Sequence, residues 1–370
     1  MRIGLVGGGT GGHFYPLMAV AEVLKEHEHR PELYYFGPSP HDREALESHG
    51  INYRYCPAGK LRRYVSIQNF FDLFRTFFGV FVAIWKLYLI YPDVIFSKGG
   101  YTSVPILLAA RFLQIPVVIH ESDAVAGRAN VIIRTYARYI GIAYEEAAAF
   151  FPPERTALVG IPMRRALTTP HPDPFTALGI PADKPLIYVT GGSSGAERLN
   201  NIVLRCLDEL LPHYRVFHQT GLAHQDELQL TAQALITDPA LQQNYYIVGT
   251  VPAETVNALL SAASLVITRA GSTTLFEIAH FGKPAIIIPI PEDVSRDQRT
   301  NAYAYARSGA ATVIEEHNLT EHLLLQEIRS IINSPDTVAA MRAATQAWNR
   351  PHAAEKIAAT LIQIGIDHGS

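Results

Sequence analysis

The stretch GLVGGGTGGH, residues 4–13, and its counterpart YVTGGSSGAERLN, residues 188–200, decide the expected fold. Each begins as a short apolar strand, passes through a glycine-rich turn and continues into a helical pattern. This is the strand–turn–helix unit of doubly wound α/β domains, in which a helix N-terminus offers free N–H groups to an anion. Because the unit occurs once in each half of the chain, we expect two such domains.

Further short apolar runs, separated by helical stretches, occur in both halves. The first half contains ELYYFG, DVIFSKGG, PVVIHES and YIGIAY, and the second contains YRVFHQTG, YYIVGT, LVITRAG and PAIIIPI. Apolar strands that alternate with helices predict parallel sheets covered on both faces. The proline- and threonine-rich segment 159–183 predicts the domain boundary. Ligands of open α/β sheets bind at the carboxyl ends of the strands, so we expect the domains to face each other across a cleft.

The composition describes a folded protein, since 48% of the 370 residues are hydrophobic and 18% are charged. A net charge of -3 gives no general attraction to nucleic acid, so we expect no nucleic-acid partner and a local site for any anionic ligand. Cys56 and Cys206 are far apart in sequence and lack metal-ligand spacing, which predicts two reduced thiols.

In the first turn, five glycines occupy the six positions from Gly7 to Gly12. We attribute this density to a ligand that approaches the backbone closely, with a tight βα turn as the alternative. A dinucleotide site is disfavoured because the second strand, ELYYFG, ends in Gly37 and not in an acidic residue. His13 follows the turn and is a candidate general base, because histidine titrates near neutral pH. A histidine that only orders the loop is the alternative.

The second half contains two glycine turns that suit a nucleoside diphosphate. Gly191 to Gly195 include Ser193 and Ser194, whose hydroxyls add to the backbone donors, although a serine N-cap is the alternative. Arg269 to Thr274 form the other turn, and Glu277 follows one turn into its helix, where a carboxylate could bind both ribose hydroxyls or simply favour the helix dipole. Asp297, Gln298 and Asn301 follow the strand PAIIIPI, and the first two could bind sugar hydroxyls. Because no Asp-x-Asp pair occurs, we expect no metal and no cofactor.

The segment from Pro57 to Ile90 combines basic and aromatic residues in the pattern of a helix that binds a membrane surface. Asp72, Arg75 and Lys86 interrupt its apolar part, so a bilayer-spanning helix is not expected. A core helix between strands is the alternative. The predicted membrane patch consists of Lys60, Arg62, Arg63, Phe70, Phe74, Phe77 and Phe78.

Six motifs occur in the order and spacing of the MurG family, the GT-B enzymes of glycosyltransferase family 28, which this chain resembles over nearly its whole length. They are GGGTGGH, FSKGGYTSVP, HESDAVAGRAN, VGIPMR, VTGGSSGAERLN and RAGSTTLFEIAHFGKP. The resemblance implies a GT-B fold with an acceptor domain of residues 1–160 plus about 341–370 and a donor domain of residues 161–340. It implies inverting, metal-independent transfer of N-acetylglucosamine (GlcNAc) from UDP-GlcNAc to the C4 hydroxyl of N-acetylmuramate (MurNAc) in lipid I, at the cytoplasmic face of the cell membrane, giving lipid II for peptidoglycan.

Carried over by position, the resemblance implies two catalytic candidates, His13 and Glu121. It places the acceptor diphosphate at Gly9, Thr10, Gly12, Gly99, Gly100 and Tyr101. It places the donor at Thr10, Gly11, Gly12, Asp123, Arg164, Ser193, Ser194, Gly195, Val251, Ser272, Thr273, Glu277, Asp297 and Gln298. Asp123 and Asp297 depart from the family pattern, because many members have asparagine and glutamine at these two positions.

Three other functions stay open at this point. A diacylglycerol glycosyltransferase would share the donor half, and GGTGGH with FSKGGYTSVP argues against it. A UDP-GlcNAc 2-epimerase would share both domains but would leave the membrane patch without a purpose. A nucleotide-sugar-binding subunit without activity would not need His13 in a chain with two complete halves.

Overall fold

The computed structural model describes residues 1–60, 67–192, 196–292 and 296–369. The chain forms two compact units, Met1–Arg165 with Arg350–Ser370, and Ala166–Asn349. The family resemblance implied a second boundary at about residue 341. That position falls inside the helix Pro335–Trp348, and the boundary between the units follows this helix, between Asn349 and Arg350. Trp348 at the end of this helix packs its ring 4.4 Å from that of Phe276 and 4.7 Å from that of Tyr305, and both partners belong to the second unit.

A seven-stranded parallel sheet forms the centre of the first unit, with the strand order β3-β2-β1-β4-β5-β6-β7. Its strands are Arg2–Val6 (β1), Glu32–Gly37 (β2), Asn52–Tyr55 (β3), Val94–Ser97 (β4), Val117–Glu121 (β5), Tyr139–Ile142 (β6) and Thr156–Leu158 (β7). The central strands are buried on both faces, as their continuous apolar sequences predict.

Among the described residues of the first unit, five α-helices lie between the strands in the chain. They are Gly11–Glu26 (α1), Arg43–Ser48 (α2), Ile67–Ile90 (α3), Val104–Phe112 (α4) and Arg128–Ile133 (α5). Helix α1 buries Phe14, Leu17 and Leu24 in the core on one face of the sheet, where they meet Leu5 and Tyr35. This packing holds the N-terminus of α1 at the carboxyl end of β1.

A six-stranded parallel sheet, in the order β10-β9-β8-β11-β12-β13, forms the second unit. Its strands are Leu186–Thr190 (β8), Arg215–Gln219 (β9), Tyr245–Val248 (β10), Ala263–Thr268 (β11), Ala285–Ile287 (β12) and Ala311–Val313 (β13). Strands β8 and β11 are neighbours and end level with each other, because Thr190 pairs with Thr268. The turns after these two strands therefore lie side by side.

Ten helices of the second unit are described. They are Pro174–Leu178 (α6), Glu197–Arg205 (α7), Leu207–Leu210 (α8), Gln225–Leu235 (α9), Pro239–Gln242 (α10), Ala253–Ala262 (α11), Ser272–His280 (α12), Arg296–Ala306 (α13), Glu321–Ile332 (α14) and Pro335–Trp348 (α15). The last helix, Ala353–Gly369 (α16), returns to the first unit, where Ile357 and Leu361 join the core formed by α1. Cys56 and Cys206 are buried free thiols.

Candidate functional site

The first glycine turn connects β1 to α1, and protein packing accounts for part of its composition. A Cβ atom at Gly8 would lie 2.5 Å from the hydroxyl of Tyr35, which donates a hydrogen bond to the carbonyl oxygen of Gly7 at 2.6 Å. A Cβ atom at Gly7 would lie 2.9 Å from the Cβ atom of Lys98. Packing alone therefore accounts for glycine at these two positions, without a ligand. Gly9, Gly11 and Gly12 remain candidates for ligand contact.

A second loop meets the first at the same edge of the sheet. Strands β1 and β4 are paired so that Val6 lies opposite Ser97, and the loops that follow them adjoin. A Cβ atom at Gly100 would lie 3.4 Å from the carbonyl oxygen of Gly8, and one at Gly9 would lie 3.2 Å from the ring of Tyr101. The residues predicted for the acceptor diphosphate are therefore neighbours in the structure.

His13 lies in the first turn of α1, beside this pair of loops. Its Nδ1 atom is 2.9 Å from the hydroxyl oxygen of Thr10, and its Nε2 atom lies on the side of Gly100. If Nδ1 carries the proton and donates to Thr10, the lone pair of Nε2 is free to accept a proton. Burial, and then the charge of Lys98, lower the pKa of His13, and Asp123 opposes this shift. The imidazole is therefore neutral at physiological pH, as a base requires.

Glu121 ends β5 and is fixed by three donors. It accepts hydrogen bonds from the backbone N–H groups of Asp123 at 3.2 Å and Gly127 at 2.8 Å, and from the side-chain amide of Asn130 at 2.9 Å. Burial and the charge of Asp123 raise the pKa of Glu121 to about 7, although these donors favour the carboxylate. Because both carboxyl oxygens are engaged inside the protein, the geometry favours His13 over Glu121 as the base.

Lys98 is a buried cation that we did not predict from the sequence. It follows β4 directly, is only 2% exposed, and places its ammonium against Nδ1 of His120 and the hydroxyl of Ser122. His120 in turn binds the carbonyl oxygen of Gly160 through Nε2, at 2.7 Å. The sequence FSKGGYTSVP could have indicated this residue, because it places Lys98 between the end of a strand and two glycines.

Asp123 lies just beyond β5 and is half-buried. Its charge acts on His13, Lys98 and Glu121, because each of these groups has a pKa that the carboxylate raises. The structure thus assembles His13, Lys98, Glu121 and Asp123 at the carboxyl edge of the first sheet, as one electrostatically linked group.

In the second unit, predicted donor residues follow the strands β8 and β11 in the chain. Ser193, Ser194 and Gly195 lie outside the described residues. Beside them, the N–H of Gly192 donates to the Thr190 hydroxyl at 3.2 Å. Helix α12 begins at Ser272, whose hydroxyl accepts a hydrogen bond from the Asn301 amide at 2.9 Å. Thr273 is the second residue of this helix, so both of its candidate hydroxyls lie at a helix N-terminus.

Glu277 is buried on α12. Burial of Tyr188, and to a smaller extent the charge of Glu277, raise the pKa of Tyr188. Asp297 and Gln298 lie at the start of α13. The side-chain oxygen of Gln298 is buried and has no hydrogen-bond partner among the described residues. An unpartnered buried acceptor suits a hydroxyl ligand, because it would otherwise stay desolvated without compensation.

Two further predicted donor residues lie elsewhere. The guanidinium of Arg164 stacks over the ring of Tyr15, 4.2 Å from its centre, within the first unit. Val251 is half-buried between β10 and α11 and packs against the apolar core of the second unit. Among the described residues, no three histidine, cysteine or acidic side chains are grouped so that they could hold a metal ion.

Helix α3 carries the predicted aromatic patch. Phe70, Phe74, Phe77 and Phe78 lie on it and are between 57% and 64% exposed, while Ala83 and Leu87 on its other side are buried. Lys60 is exposed, and Arg62 and Arg63 lie outside the described residues. By length and composition alone, the part from Phe70 to Ile90 could cross a membrane, but core helices of globular proteins pass the same test. The expectation that it does not span a bilayer, drawn from Asp72, Arg75 and Lys86, therefore stays a prediction.

Both halves of the chain match one protein family. Residues 3–142 match the glycosyltransferase family 28 N-terminal domain, and residues 186–358 match the glycosyltransferase family 28 C-terminal domain. The chain belongs to glycosyltransferase family 28. It is 35% identical to the UDP-N-acetylglucosamine--N-acetylmuramyl-(pentapeptide) pyrophosphoryl-undecaprenol N-acetylglucosamine transferase of Clostridium kluyveri, over 91% of this chain and 92% of that protein. It is 36% identical to the transferase of the same name from Shouchella clausii, over 94% and 96%.

Solved structures place this family 28 chain in the GT-B fold. MurG of Acinetobacter baumannii is similar with a TM-score of 0.75 and 25% identity, covering 98% of this chain and 100% of that one. The UDP-GlcNAc 2-epimerase of Neisseria meningitidis, solved with UDP-GlcNAc, has a TM-score of 0.71 at 15% identity, over 98% and 100%. The second likeness shows the shared fold alone. The prediction of two doubly wound parallel-sheet domains of GT-B type is confirmed.

Proposed function

We propose that this chain transfers N-acetylglucosamine from UDP-GlcNAc to the C4 hydroxyl of MurNAc in lipid I, which gives lipid II for peptidoglycan. The observation that carries the proposal is identity of about a third along almost the entire chain with transferases of that name. This identity covers the acceptor half as well as the donor half. We would expect a lipid glycosyltransferase of other specificity to share only the donor half.

The proposed chemistry needs one base and no metal. Nε2 of His13 accepts the proton of the C4 hydroxyl while that oxygen forms a bond to C1 of the sugar. The bond between C1 and the β-phosphate oxygen of UDP breaks on the opposite face, and its electron pair leaves with UDP. The configuration at C1 is therefore inverted. The hydrogen bond of Nδ1 to Thr10 supports this role, because it orients the ring.

The proposed acceptor contacts are backbone groups and the Tyr101 side chain in the two adjoining loops. The diphosphate of lipid I would lie against Gly9, Thr10, Gly12, Gly99 and Gly100. The first N–H groups of a helix have no carbonyl acceptor within it, so those at the start of α1 could donate hydrogen bonds to the diphosphate. Gly11, which the family pattern assigns to the donor, lies in the same turn.

Most of the proposed donor contacts lie in the second unit. Hydroxyls and N–H groups at the N-termini of α7 and α12 would stabilise the charge that develops on the β-phosphate, with Ser193, Ser194, Gly195, Ser272 and Thr273 as the residues. Glu277 would accept hydrogen bonds from the ribose hydroxyls, and Asp297 and Gln298 from the sugar. Arg164, Val251 and Asp123 complete the proposed set by family pattern alone.

We also propose that α3 binds the cytoplasmic face of the cell membrane, where lipid I resides. Exposed phenylalanines on a helix that is anchored to the domain by Ala83 and Leu87 suit insertion into the lipid interface. Lys86 supports an interfacial position, because its ammonium donates to the carbonyl oxygen of Tyr55 at 2.6 Å and so ties α3 to the sheet.

The test of the function compares acceptors at fixed UDP-GlcNAc. We expect UDP release with a short-chain lipid I analogue and none with diacylglycerol. A parallel series with UDP-glucose measures which donor sugar the enzyme prefers. This comparison is needed because Asp123 and Asp297 depart from the family pattern at the donor site. Release with diacylglycerol alone would assign the chain to another lipid glycosyltransferase, and release with UDP-glucose but not UDP-GlcNAc would change the donor.

A further inference from the structure

The buried side chain of Lys98 lies between the two loops that form the proposed acceptor site. Its Cβ atom packs against Gly7, and its ammonium reaches away from solvent to His120 and Ser122. Gly99 and Gly100, which follow it, have φ angles of +76° and +82°, so the chain turns there to bring Gly100 beside the His13 ring. A lysine that is 2% exposed is rare without a role, because desolvation of its charge is costly.

We propose that Lys98 is a positioning residue for the transfer reaction, which acts through His13 by favouring the neutral imidazole. The inference rests on the proposed function, since it assigns Lys98 a part in preparing the base of that reaction. Two positive charges in one poorly solvated site repel each other, so a cation at Lys98 disfavours protonation of His13.

The titration of Lys98 matches this task. Burial lowers its pKa to about 7, with the charges of Glu121 and Asp123 opposing the shift. Lys98 therefore gains its proton as the pH falls through 7, which is the range in which an ordinary histidine would begin to protonate. The cation appears where it is needed to keep His13 neutral.

Other ionisable groups surround this pair and enter the same balance. They are His120 and Glu121 on β5, Asp123 beyond it, Tyr35 on β2, and Tyr101 after Gly100. His120 stays neutral, because burial and Lys98 lower its pKa. Asp123 is the opposing charge, since it favours protonation of both Lys98 and His13.

Two substitutions at Lys98 separate loss of the cation from loss of the lysine side chain. Lys98→Met removes the cation at similar length, and the midpoint of the His13 titration should rise by about half a pH unit or more. Lys98→Arg keeps a cation at every pH, and the midpoint should stay at or below that of the unchanged protein. Lys356→Met, on the exposed surface of α16, is the matched control and should leave the midpoint unchanged.

The readout is an NMR titration of protein labelled in its histidine rings, with the His13 signal assigned by its loss in His13→Gln. It needs no substrate, so failure of the transfer function and failure of this inference are separable. In the transfer assay, the acid limb of kcat should move to higher pH in Lys98→Met and return in Lys98→Arg. Thermal melting of each variant checks folding.

An unchanged His13 midpoint in folded Lys98→Met would overturn the proposal. A rise in the KM for the lipid I analogue with an unchanged acid limb would also overturn it, because Lys98 would then contact the acceptor directly. If Lys98→Met does not fold, Lys98→Arg decides, and a midpoint above that of the unchanged protein contradicts the inference.

Discussion

His13 is the histidine that we propose as the general base at the acceptor site. It is oriented by Thr10, lies beside Gly100, and is kept neutral by burial. His13→Gln should lower kcat by at least about a hundredfold, as expected for loss of a general base, and leave UDP-GlcNAc affinity near normal. His29→Gln, on the exposed end of the region after α1, is the matched control. Retained turnover in His13→Gln would place the base elsewhere, with Glu121 as the next candidate.

The pH dependence of turnover follows from the same residue. Because the pKa of His13 is lowered below its ordinary value of 6.5, the base is unprotonated above that pH. The rate should therefore be retained as the pH falls to 6.5 and should decline only at lower pH. The measurement is kcat/KM for the lipid I analogue at saturating UDP-GlcNAc, over a series of buffers of constant ionic strength, because kcat/KM reports the pKa of the base before the acceptor binds. A half-maximal rate above pH 6.5 would contradict the assignment of His13.

Glu277 provides the corresponding test on the donor side. Its buried position on α12 suits contact with the ribose, and Glu277→Ala should raise the KM for UDP-GlcNAc by about tenfold or more, since charge-assisted hydrogen bonds contribute about 1.5–3 kcal/mol. Glu254→Ala, an exposed acid in the first turn of the neighbouring helix α11, controls for general loss of charge. An unchanged donor KM, or equal effects of both substitutions, would refute the ribose role.

Glycine patterns indicated the sites from the sequence, but they did not separate ligand contact from packing. Gly8 is required by the Tyr35 hydroxyl, which binds the carbonyl oxygen of Gly7 from a strand 28 residues further along the chain. Lys98 was missed for a related reason, because its burial depends on the pairing of β1 with β4 and on His120 from β5. Such contacts between distant segments are fixed by tertiary structure and leave little trace in local sequence.

At the scale of elements, the loop after β4 depends on glycine at position 99, and this dependence can be tested by substitution. Gly99 has a φ of +76°, and a Cβ atom there would lie 2.8 Å from the Asn130 side-chain oxygen. Gly179 has a φ of +65° and open space around it, so Gly179→Ala measures the cost of the conformation alone. Gly99→Ala should destabilise its unit by about 1 kcal/mol more than Gly179→Ala, which corresponds to about 2–4 °C in Tm. Equal melting shifts would show that the loop relaxes freely.

Helix α3 makes a prediction about membranes. Replacing Phe77 and Phe78 with serine should weaken sedimentation with vesicles that contain anionic lipid by about tenfold or more, because each buried phenylalanine contributes about 1.5–3 kcal/mol. Leu230→Ser with Leu235→Ser, at exposed positions of α9, is the matched control. Transfer to a soluble acceptor analogue should remain normal in both double variants. Unchanged vesicle binding after loss of the two phenylalanines would contradict the proposed membrane surface.

The elements themselves were largely predictable, because continuous apolar strands and intervening helices identify parallel sheets. The two sheets of seven and six strands confirm this prediction. The sequence did not show which side of α3 is exposed, because its aromatic residues occur on more than one face of the helix. Only the packing of Ala83 and Leu87 in the core shows which side faces the protein.

At the scale of the whole molecule, the GT-B fold narrows the function without deciding it. A MurG structure and a UDP-GlcNAc 2-epimerase structure are similar to this chain with TM-scores of 0.75 and 0.71. Sequence identity separates the two classes, because the transferases named for lipid I chemistry are about a third identical over nearly the whole chain.

The most direct test of the transfer function follows UDP-GlcNAc labelled at C1 by NMR, with and without a short-chain lipid I analogue. We expect UDP to appear only when the acceptor is present, in a one-to-one ratio with a disaccharide product whose C1 is inverted. In His13→Gln, both products should form at least about a hundredfold more slowly. Conversion of the labelled sugar to its C2 epimer without acceptor, or UDP release independent of the acceptor, would contradict the transfer function.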